Sequence, residues 1–334
     1  MSSDLHPFRP VPVFDAALSP AGLNGLTTMA GAIEAALLDQ GALVLRGVVD
    51  GPDSLAAVAD ALGYDRAVLS EESSPRSRVS GDVFTSTDYP AAYPIQMHCE
   101  YSYSASWPMR LLFGCVQAPA IGGQTPVADM RRLLVEMDDQ RREKFRRKGV
   151  LYRRNYVPGV GVDWRTAFAT SSQHEVEAYC AQNGITAIWT ADGGLRTEQT
   201  GPAICHHPQT GDEVWFNHAF FFNVRSLEPE SLRDFMLAED EETLSTNTYY
   251  GDGEPIEAET IEHLRDLMHR CTLTSDWVEG DLLLVDNMRM SHGRSPFSGA
   301  RKIVVYMANT MTRSQVAGAP DGARESKAMV EGVN

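Results

Sequence analysis

The sequence predicts a mainly β fold of the α+β class, a double-sheet jelly roll with helical insertions. Strand-like segments lie towards both ends of the chain, and a stretch with several helical segments separates them. The chain has 334 residues, of which 43% are hydrophobic and 22% are charged, which is ordinary for a globular protein with a large core. No Pro/Gly/Ser-rich linker or solenoid repeat interrupts the pattern, so we expect one elaborated domain.

The N-terminal part of the chain predicts two helices, one strand and a long loop. Ser19-Pro20 is typical of a helix start, and the apolar period after it predicts a helix over 23–38. Residues 42–48, ALVLRGV, predict a buried strand, and a second short helix is expected at 54–62. Residues 64–96 are rich in Ser, Pro, Asp and Gly and show no period, so we expect an irregular loop that acts as a lid.

The rest of the chain alternates strand-like and helical segments, with Trp107-Pro108 expected in a turn between the first two strands. We expect the domain to span 1–311, with an insertion at about 157–270, and the small, polar residues 312–334 to form a poorly ordered tail. The predicted strands lie at 97–103, 110–117, 150–156, 277–286 and 301–310, and the predicted helices at 129–148, 175–182, 231–237 and 260–271.

Composition and charge argue against several classes of protein. The longest apolar runs, such as 282–285 and 303–308, are far shorter than the roughly 20 residues that span a bilayer. The N-terminus lacks a signal-peptide pattern, so we expect a cytoplasmic protein. The five cysteines have no C-x-x-C spacing, which favours reduced thiols over disulfides or a zinc site. A net charge of −16 disfavours nucleic-acid binding, and the basic run at 141–148 predicts a solvated helix face.

His98, Glu100 and His292 are the candidate metal ligands. His98-Cys99-Glu100 is expected to begin a strand, where residues two positions apart face the same side. With nine His and 45 acidic residues, roughly one such triplet arises by chance, so this signal is weak alone. His292 follows an apolar strand, in what we expect to be a polar Gly/Ser/Pro loop. Two imidazoles and one carboxylate leave open positions on iron(II), where O2 is activated. His206-His207 is the best rival pair, but adjacent strand positions face opposite sides.

Arg301 is the candidate anchor for a co-substrate. 2-Oxoglutarate would chelate the iron through its keto acid end, and its far carboxylate would then need a buried cation, for which arginine is favoured. Arg301 begins the strand after His292, with Arg289 and Arg294 as competitors. Thr125, which follows Gly122 and Gly123, offers a hydroxyl that could assist, although GGQT is also an ordinary turn.

Three segments together resemble the TauD/TfdA superfamily, and within it the clavaminate synthase-like and SyrP-like natural-product oxygenases. The segments are HCEYSYSASWPMRLLFGCVQAPAIGGQTPVAD, VWFNHAFFFN and GDLLLVDNMRMSHGRSPFSGARK, and the likeness covers roughly residues 35–310. The resemblance implies a double-stranded β-helix of the cupin type, with His98, Glu100 and His292 as Fe(II) ligands. It also implies that Arg301 and Thr125 anchor 2-oxoglutarate, and that C–H oxidation by O2 is coupled to decarboxylation of 2-oxoglutarate to succinate.

Two departures from the family pattern bear on the reaction. Glu100 stands where taurine-type members carry Asp and where related halogenases carry Ala or Gly, so hydroxylation of an amino-acid-like substrate is expected and halogenation is not. Taurine-type members also carry a second Arg, which binds the sulfonate, four residues after the co-substrate Arg. Here that position is Val305, which argues against a sulfonate substrate.

The substrate is the least determined part of the prediction. The resemblance points to Arg154, Asn155 and Asn217 as substrate-binding residues, although Asn or Arg at the end of a strand is often structural. A free amino acid, a carrier-tethered amino acid and a peptide-like intermediate all stay open, and the strongly negative charge favours a small diffusible substrate over an acidic carrier. A desaturase, a cyclase and a non-catalytic cupin-like binding protein are the alternatives.

Overall fold

The computed structural model describes residues 10–14, 22–72, 78–86, 89–159 and 161–316. Its α-helices, in chain order, are α1 Gly22–Gln40, α2 Ser54–Ala61, α3 Met130–Glu136, α4 Asp139–Lys148, α5 Trp164–Ala167, α6 Gln173–Gln182, α7 Glu230–Ala238 and α8 Ala258–Arg270. Its strands are β1 Ala42–Leu45, β2 Arg78–Ser80, β3 Val83–Thr85, β4 Ile95–His98, β5 Ser106–Gln117, β6 Ile121–Gly122, β7 Val127–Asp129, β8 Val150–Tyr156, β9 Thr186–Trp189, β10 Leu195–Gly201, β11 Ile204–His206, β12 Glu213–Trp215, β13 Thr246–Tyr250, β14 Thr272–Leu273, β15 Leu282–Asp286, β16 Met290–Arg294, β17 Phe297–Ser298 and β18 Lys302–Thr312.

Two antiparallel sheets form the jelly roll. The major sheet has six strands in the order β1-β15-β5-β18-β3-β2, and the minor sheet has four in the order β14-β7-β16-β4. Strands from the first half of the chain therefore alternate with strands from its last fifth, which brings distant segments side by side. The fold is mixed, with many strands, as the sequence predicts.

The central strands of the major sheet bury both of their faces. On β15, Leu283 and Val285 join an apolar cluster that also contains Val127 and Met290 from the minor sheet. The alternate residues, Leu282 and Leu284, belong to a second cluster on the opposite face. Helices α1 and α2 cover that face, so the continuous apolar runs of the sequence are explained by burial on both sides.

A separate four-stranded sheet, in the order β13-β8-β10-β9, occupies the middle of the chain. Strand β8 pairs with β10 and β13, so Val150–Tyr156 belongs to the inserted sheet. Strand β8 thus precedes the predicted insertion at 157–270 but pairs with two strands inside it. The sequence does not reveal this pairing, because β8 resembles an ordinary strand and its partners lie further along the chain.

Several predicted elements have different bounds. The first helix, the strand at 150–156 and the helices at 54–62, 175–182, 231–237 and 260–271 are confirmed to within a few residues, whereas Ser19-Pro20 lies outside the described residues. Trp107-Pro108 does not form a turn, because both residues pair with β18 inside β5. The predicted helix 129–148 is two helices, because Asp138 caps a new helix by accepting a hydrogen bond from the Arg141 amide.

The described parts of the expected loop and tail contain regular structure. Within 64–96, β2 and β3 form a hairpin, and β3 pairs with β18. At the other end β18 continues to Thr312, and a 3-10 turn follows at Arg313–Gln315. Residues 73–77, 87–88 and 317–334 lie outside the described residues. The sequence did not reveal the pairing of β3 with β18, because the two strands lie far apart along the chain.

The remaining compositional expectations concern charge, cysteines and membranes. The basic residues of α4 form ion pairs with neighbouring acids, for example Lys144 with Glu257 at 2.5 Å. This confirms a solvated helix face. All five cysteines are buried and free of disulfides. Within the described part of the chain, no helix combines the length and the apolar composition required to cross a bilayer.

Gly114 on β5 allows α2 to approach the sheet closely. A Cβ atom at this position would lie 2.3 Å from Leu55 Cδ1 and 3.2 Å from Val49 Cγ1. Since Leu55 is fully buried, we expect Gly114→Ala to lower the free energy of unfolding by about 1–3 kcal/mol, measured by chemical denaturation. Gly31→Ala in α1, where nothing lies within 4 Å of the added Cβ, is the control and should stabilise slightly. Equal stability of the two variants would contradict the packing argument.

Candidate metal centre

Two histidines that are far apart in the sequence face each other across one strand pair. Strand β16 runs antiparallel to β4, and His292 lies directly opposite His98 in the register. Their ring centroids are 4.3 Å apart, and both side chains are buried. His292 thus lies inside a strand, which corrects the prediction of a loop. A Cβ on the next residue, Gly293, would lie 2.6 Å from the Ile95 carbonyl oxygen, so glycine permits this close pairing.

Glu100 completes the group from a turn. His98 ends β4, and Glu100 lies two residues later in the turn that follows, so the expected strand start is wrong. The chain nevertheless turns the carboxylate back, and Glu100 Oε2 lies 3.7 Å from His98 Nε2 and 3.6 Å from His292 Nε2. The ligand atoms of the three residues all lie within 4.8 Å of one another.

Asn287 fixes the backbone of Glu100. Its side-chain oxygen accepts a hydrogen bond from the Glu100 amide at 2.7 Å, and its side-chain nitrogen donates to the Glu100 carbonyl at 2.8 Å. The same nitrogen donates to the Pro108 carbonyl at 2.8 Å. Asn287 is fully buried between β15 and β16, and the sequence analysis missed it although it lies within the motif that contains His292. A buried carboxamide that satisfies three backbone groups sets the turn with little freedom.

The orientation of the His98 ring suits a metal ion. His98 Nδ1 lies 2.9 Å from the Gln96 carbonyl, to which it donates, so the lone pair of Nε2 faces the cluster. Phe221 stacks on this ring with centroids 4.3 Å apart, and Phe113 packs against the His292 ring at 5.0 Å. Ligands on one face of an iron ion, with bonds of about 2.1 Å, hold their donor atoms about 3 Å apart. A small contraction suffices, so this donor set fits iron(II).

His218, in the VWFNHAFFFN segment, was also missed. It is fully buried, its Nδ1 lies 2.6 Å from Ser102 Oγ, and its ring meets the His98 ring edge to face. Burial, followed by the nearby His98, lowers the pKa of His218 well below the usual range.

The rival pair His206-His207 does not come together: His206 is half-exposed, and His207 points into the core, with Nε2 3.1 Å from Asp286 Oδ2. Adjacent strand positions face apart here, as expected.

A cavity opens beside the three candidate ligands, and we call it the metal cavity. It is lined by Ser86, Ile95, His98, Glu100, Phe113, Thr125, His292, Gly293, Arg294, Arg301 and Val305. Two of the residues predicted to anchor a co-substrate, Arg301 and Thr125, are therefore in the same space as the candidate metal ligands. Glu100 is the acidic side chain in this lining, so the cavity has a positive side away from it.

Within the described part of the chain, neutral polar groups accept the hydrogen bonds of the Arg301 guanidinium. It donates to the Gly123 carbonyl at 2.9 Å, to Ser86 Oγ at 3.1 Å and to Thr125 Oγ1 at 3.4 Å. Gly123 has a φ of +67°, and a Cβ there would lie 3.1 Å from Arg301 Cδ, which explains the glycine pair. Burial, with Arg294 as a second cause, lowers the pKa of Arg301 to about 10. An incoming carboxylate would relieve this penalty.

The two competing arginines have other partners. Arg294 lines the metal cavity, but its guanidinium donates to the carbonyls of Tyr89, Pro90 and Tyr93, which pins that loop. Arg289 is buried away from the cavity lining and donates to the Asp39 carbonyl at 3.2 Å. Arg301 is therefore the arginine best placed for a co-substrate carboxylate.

The three predicted substrate-binding residues do not reach the metal cavity. The Asn155 side chain donates to the Leu244 carbonyl, and the Asn217 side chain donates to the Ala203 carbonyl, so both hold the backbone of the insertion. Arg154 is buried and donates to the carbonyls of Glu71 and Glu72 at 3.4 and 2.9 Å. All three side chains thus satisfy backbone carbonyls, and substrate binding by them stays a prediction.

Comparison with known proteins places this chain among iron oxygenases. The family model "Taurine catabolism dioxygenase TauD, TfdA family" matches residues 8–308. The dapdiamide synthesis protein DdaC of Enterobacter agglomerans is 35% identical over 276 residues, which are 82% of this chain and 84% of that protein. A clavaminate synthase-like protein of Arabidopsis thaliana is 27% identical over 287 residues, 82% of this chain and 83% of that protein.

Solved structures show the same fold. AAD-2 in complex with Mn(II) and N-oxalylglycine has a TM-score of 0.52 at 12% identity, covering 93% of this chain and 99% of that chain. A putative α-ketoglutarate-dependent 2,4-D dioxygenase from Burkholderia xenovorans has a TM-score of 0.51 at 15% identity, covering 91% and 94%. These likenesses support the jelly-roll architecture.

Replacing Asn287 should weaken metal binding without removing a ligand. We expect Asn287→Ala to lower Fe(II) affinity about 10- to 100-fold, because the turn that carries Glu100 loses two hydrogen bonds and its link to Pro108 in β5 is lost as well. Anaerobic Fe(II) titration measures the effect, and circular dichroism reports whether the fold is kept. Unchanged affinity in a folded variant would show that Glu100 does not depend on this contact.

Replacing Arg301 should affect the co-substrate selectively. We expect Arg301→Ala to raise the 2-oxoglutarate requirement much more than the substrate requirement, by about 2–5 kcal/mol of binding free energy, since a buried charge pair is lost. Direct 2-oxoglutarate titration of the anaerobic Fe(II) protein measures it, with Arg289→Ala as the control outside the cavity. If the two Michaelis constants rose equally, Arg301 would be a structural residue, and Arg294, which also lines the metal cavity, would become the candidate.

Proposed function

Because the chain belongs to the TauD/TfdA family of Fe(II)- and 2-oxoglutarate-dependent dioxygenases, we propose that it hydroxylates a small amino-acid-like substrate in natural-product biosynthesis. His98, Glu100 and His292 would hold the iron, and Arg301 with Thr125 would bind the far carboxylate of 2-oxoglutarate. One observation carries this proposal: the candidate ligands and both anchors line one cavity, although they come from four separate places in the sequence.

In this proposal, the side chains of the metal cavity bind the co-substrate, orient it and exclude water. Bound iron, with 2-oxoglutarate and O2, supplies the oxidising power. Arg301 pairs with a carboxylate in a partly desolvated site, where a charged hydrogen bond is strong. Ile95, Phe113 and Val305 form apolar parts of the wall. These parts hold no water by hydrogen bonds, so less water competes with the carboxylate for Arg301. The hydrogen bond from His98 Nδ1 to the Gln96 carbonyl keeps Nε2 available as a ligand.

The glutamate and a valine of the cavity bear on the type of reaction. The Glu100 carboxylate lies between the two imidazoles, at the position that must be vacant if chloride is to bind the metal. This supports oxygen insertion over halogenation. Val305 lines the same cavity and offers no charge, which agrees with the argument against a sulfonate substrate.

The substrate class is supported by similarity. DdaC, a dapdiamide synthesis protein, is 35% identical to this chain, and a biosynthetic role on an amino-acid-derived substrate is the extension we propose. Desaturation and cyclisation begin with the same hydrogen abstraction, so the mass of the product distinguishes these alternatives from hydroxylation.

The product should contain one additional oxygen atom and no chlorine. With Fe(II), ascorbate, O2 and 2-oxoglutarate in excess chloride, we expect product about 16 mass units heavier, since Glu100 occupies the position that a halide needs. Mass spectrometry and succinate formation measure this outcome. A loss of two mass units would support desaturation instead.

Variants of the candidate ligands are the control for this experiment. His98→Ala, Glu100→Ala and His292→Ala should each abolish turnover while the fold is largely kept, because these residues line a cavity. Wild-type activity in Glu100→Ala, or chlorinated product from the unmodified protein, would show that Glu100 is not a ligand. A metal-free binding protein would show neither iron binding nor succinate formation.

A further inference from the structure

A second chamber lies beside the metal cavity, and we propose that it binds a free amino acid by both its carboxylate and its ammonium group, an inference that rests on the proposed function. The second chamber has a volume of about 160 Å³. Its lining includes Arg66, Glu72, Asp82, Phe84, Tyr101 and Met307.

The strands that line the metal cavity continue into the second chamber. Val305 lines the metal cavity, and Met307, two residues further along β18 and so on the same face, lines the chamber. On the paired strand the same relation holds for Ser86 and Phe84, and Phe84 is the register partner of Val305. Two strand residues span about 7 Å, so the chamber begins within one side-chain length of the metal cavity. Tyr101, next to Glu100, lines the chamber from the other side.

The size of the second chamber favours a small ligand. A cavity of about 150 Å³ can hold a molecule of six carbon atoms, and this chamber has about 160 Å³. A single amino acid with a short side chain is of this order. Phe84, Tyr101 and Met307 form the side towards the metal, so apolar C–H groups would lie there, and the polar end of the ligand would lie outermost.

The outer part of the chamber carries side chains of both signs. Arg66 Nη2 lies 2.9 Å from Asp82 Oδ1, and the two side chains are 54% and 30% exposed. Such exposed pairs are weak, so a ligand can take the place of each partner. A ligand carboxylate would pair with Arg66 and a ligand ammonium with Asp82, which replaces one ion pair by two.

Ligands of a single sign fit this arrangement less well. An anion without an ammonium group would meet the carboxylates of Asp82 and Glu72, whereas a cation without a carboxylate would meet Arg66. An amino acid that is joined to a carrier through its carboxyl group lacks the charge that Arg66 would bind. The chamber therefore favours the free zwitterion over the tethered form.

One wall of the second chamber is anchored to the inserted sheet. Glu71 is buried with a φ of +68°, and its Oε1 accepts hydrogen bonds from Ser104 Oγ and Tyr179 Oη, each at 2.9 Å. Arg154 donates to the carbonyls of Glu71 and Glu72. A left-handed glutamate persists only where its surroundings fix it, so Glu72 is held in place before a ligand binds. Arg154 thus positions the chamber wall.

The experiment measures ligand binding to the anaerobic Fe(II) and 2-oxoglutarate complex. A panel of L-α-amino acids, each with its N-acetyl and carboxamide derivatives, is titrated and followed by the change in the iron–2-oxoglutarate absorbance band. We expect a free amino acid to bind at least tenfold tighter than either derivative. Arg66→Ala should remove the preference over the carboxamide, and Asp82→Asn should remove the preference over the N-acetyl form. Both variants should keep the 2-oxoglutarate affinity of the unmodified protein.

Arg78→Ala is the matched control. Arg78 lies over the Phe84 ring, 5.7 Å from its centroid, and is absent from the chamber lining, so its loss should leave every preference unchanged. Equal binding of the three forms, no binding by any free amino acid, or a preference that survives Arg66→Ala and Asp82→Asn would overturn the inference. A missing 2-oxoglutarate band in the unmodified protein would instead contradict the proposed function, and the inference with it.

Discussion

The antiparallel pairing of β4 with β16 is the constraint on which the candidate site depends. It sets His98 opposite His292, and Gly293 allows the two strands to approach. Glu100 does not share this pairing, and its turn is fixed by the buried Asn287 at the junction of β15 and β16. Both halves of the donor set are therefore tied to the last third of the chain. If β16 shifted by one residue, His292 would face the opposite side of the sheet.

Charge is distributed unevenly around the metal cavity, and this asymmetry matches the chemistry that we propose. One side carries a carboxylate between two imidazoles, whereas the other carries Arg301, held by a carbonyl and two hydroxyls. Among the described residues no carboxylate pairs with this guanidinium, and its burial lowers the pKa of Arg301 to about 10. Such a site gains from binding an anion, which is the property a co-substrate anchor needs. Arg294, nearby, instead satisfies three carbonyls of the adjoining loop.

The metal cavity and the second chamber are built from different parts of the fold: the first mainly from the jelly roll, and the second partly from the segments added to it. Strands of the two jelly-roll sheets supply His98, His292 and Val305. Arg66, Glu72 and Asp82 line the second chamber, and Arg154 of the inserted sheet supports its wall. The two candidate histidine ligands thus lie on the regular part of the fold, where positions are fixed by cross-strand hydrogen bonds. The charged side chains that we propose for substrate selection lie on hairpin and loop residues, which can change without disturbing the metal centre.

The sequence by itself determined the mainly β architecture and most helices, because apolar periodicity and helix capping are local properties. It also predicted the candidate ligands and anchors, since these lie in ordered motifs. It did not reveal that Glu100 lies in a turn, that His292 lies in a strand, or that Asn287 supports the site. Nor did it show that Asn155 and Asn217 donate hydrogen bonds to backbone carbonyls, or that Arg154 supports the wall of the second chamber. Only the tertiary structure decided these roles, because most of them depend on a hydrogen-bond partner far away in the chain, such as Asn287 for Glu100.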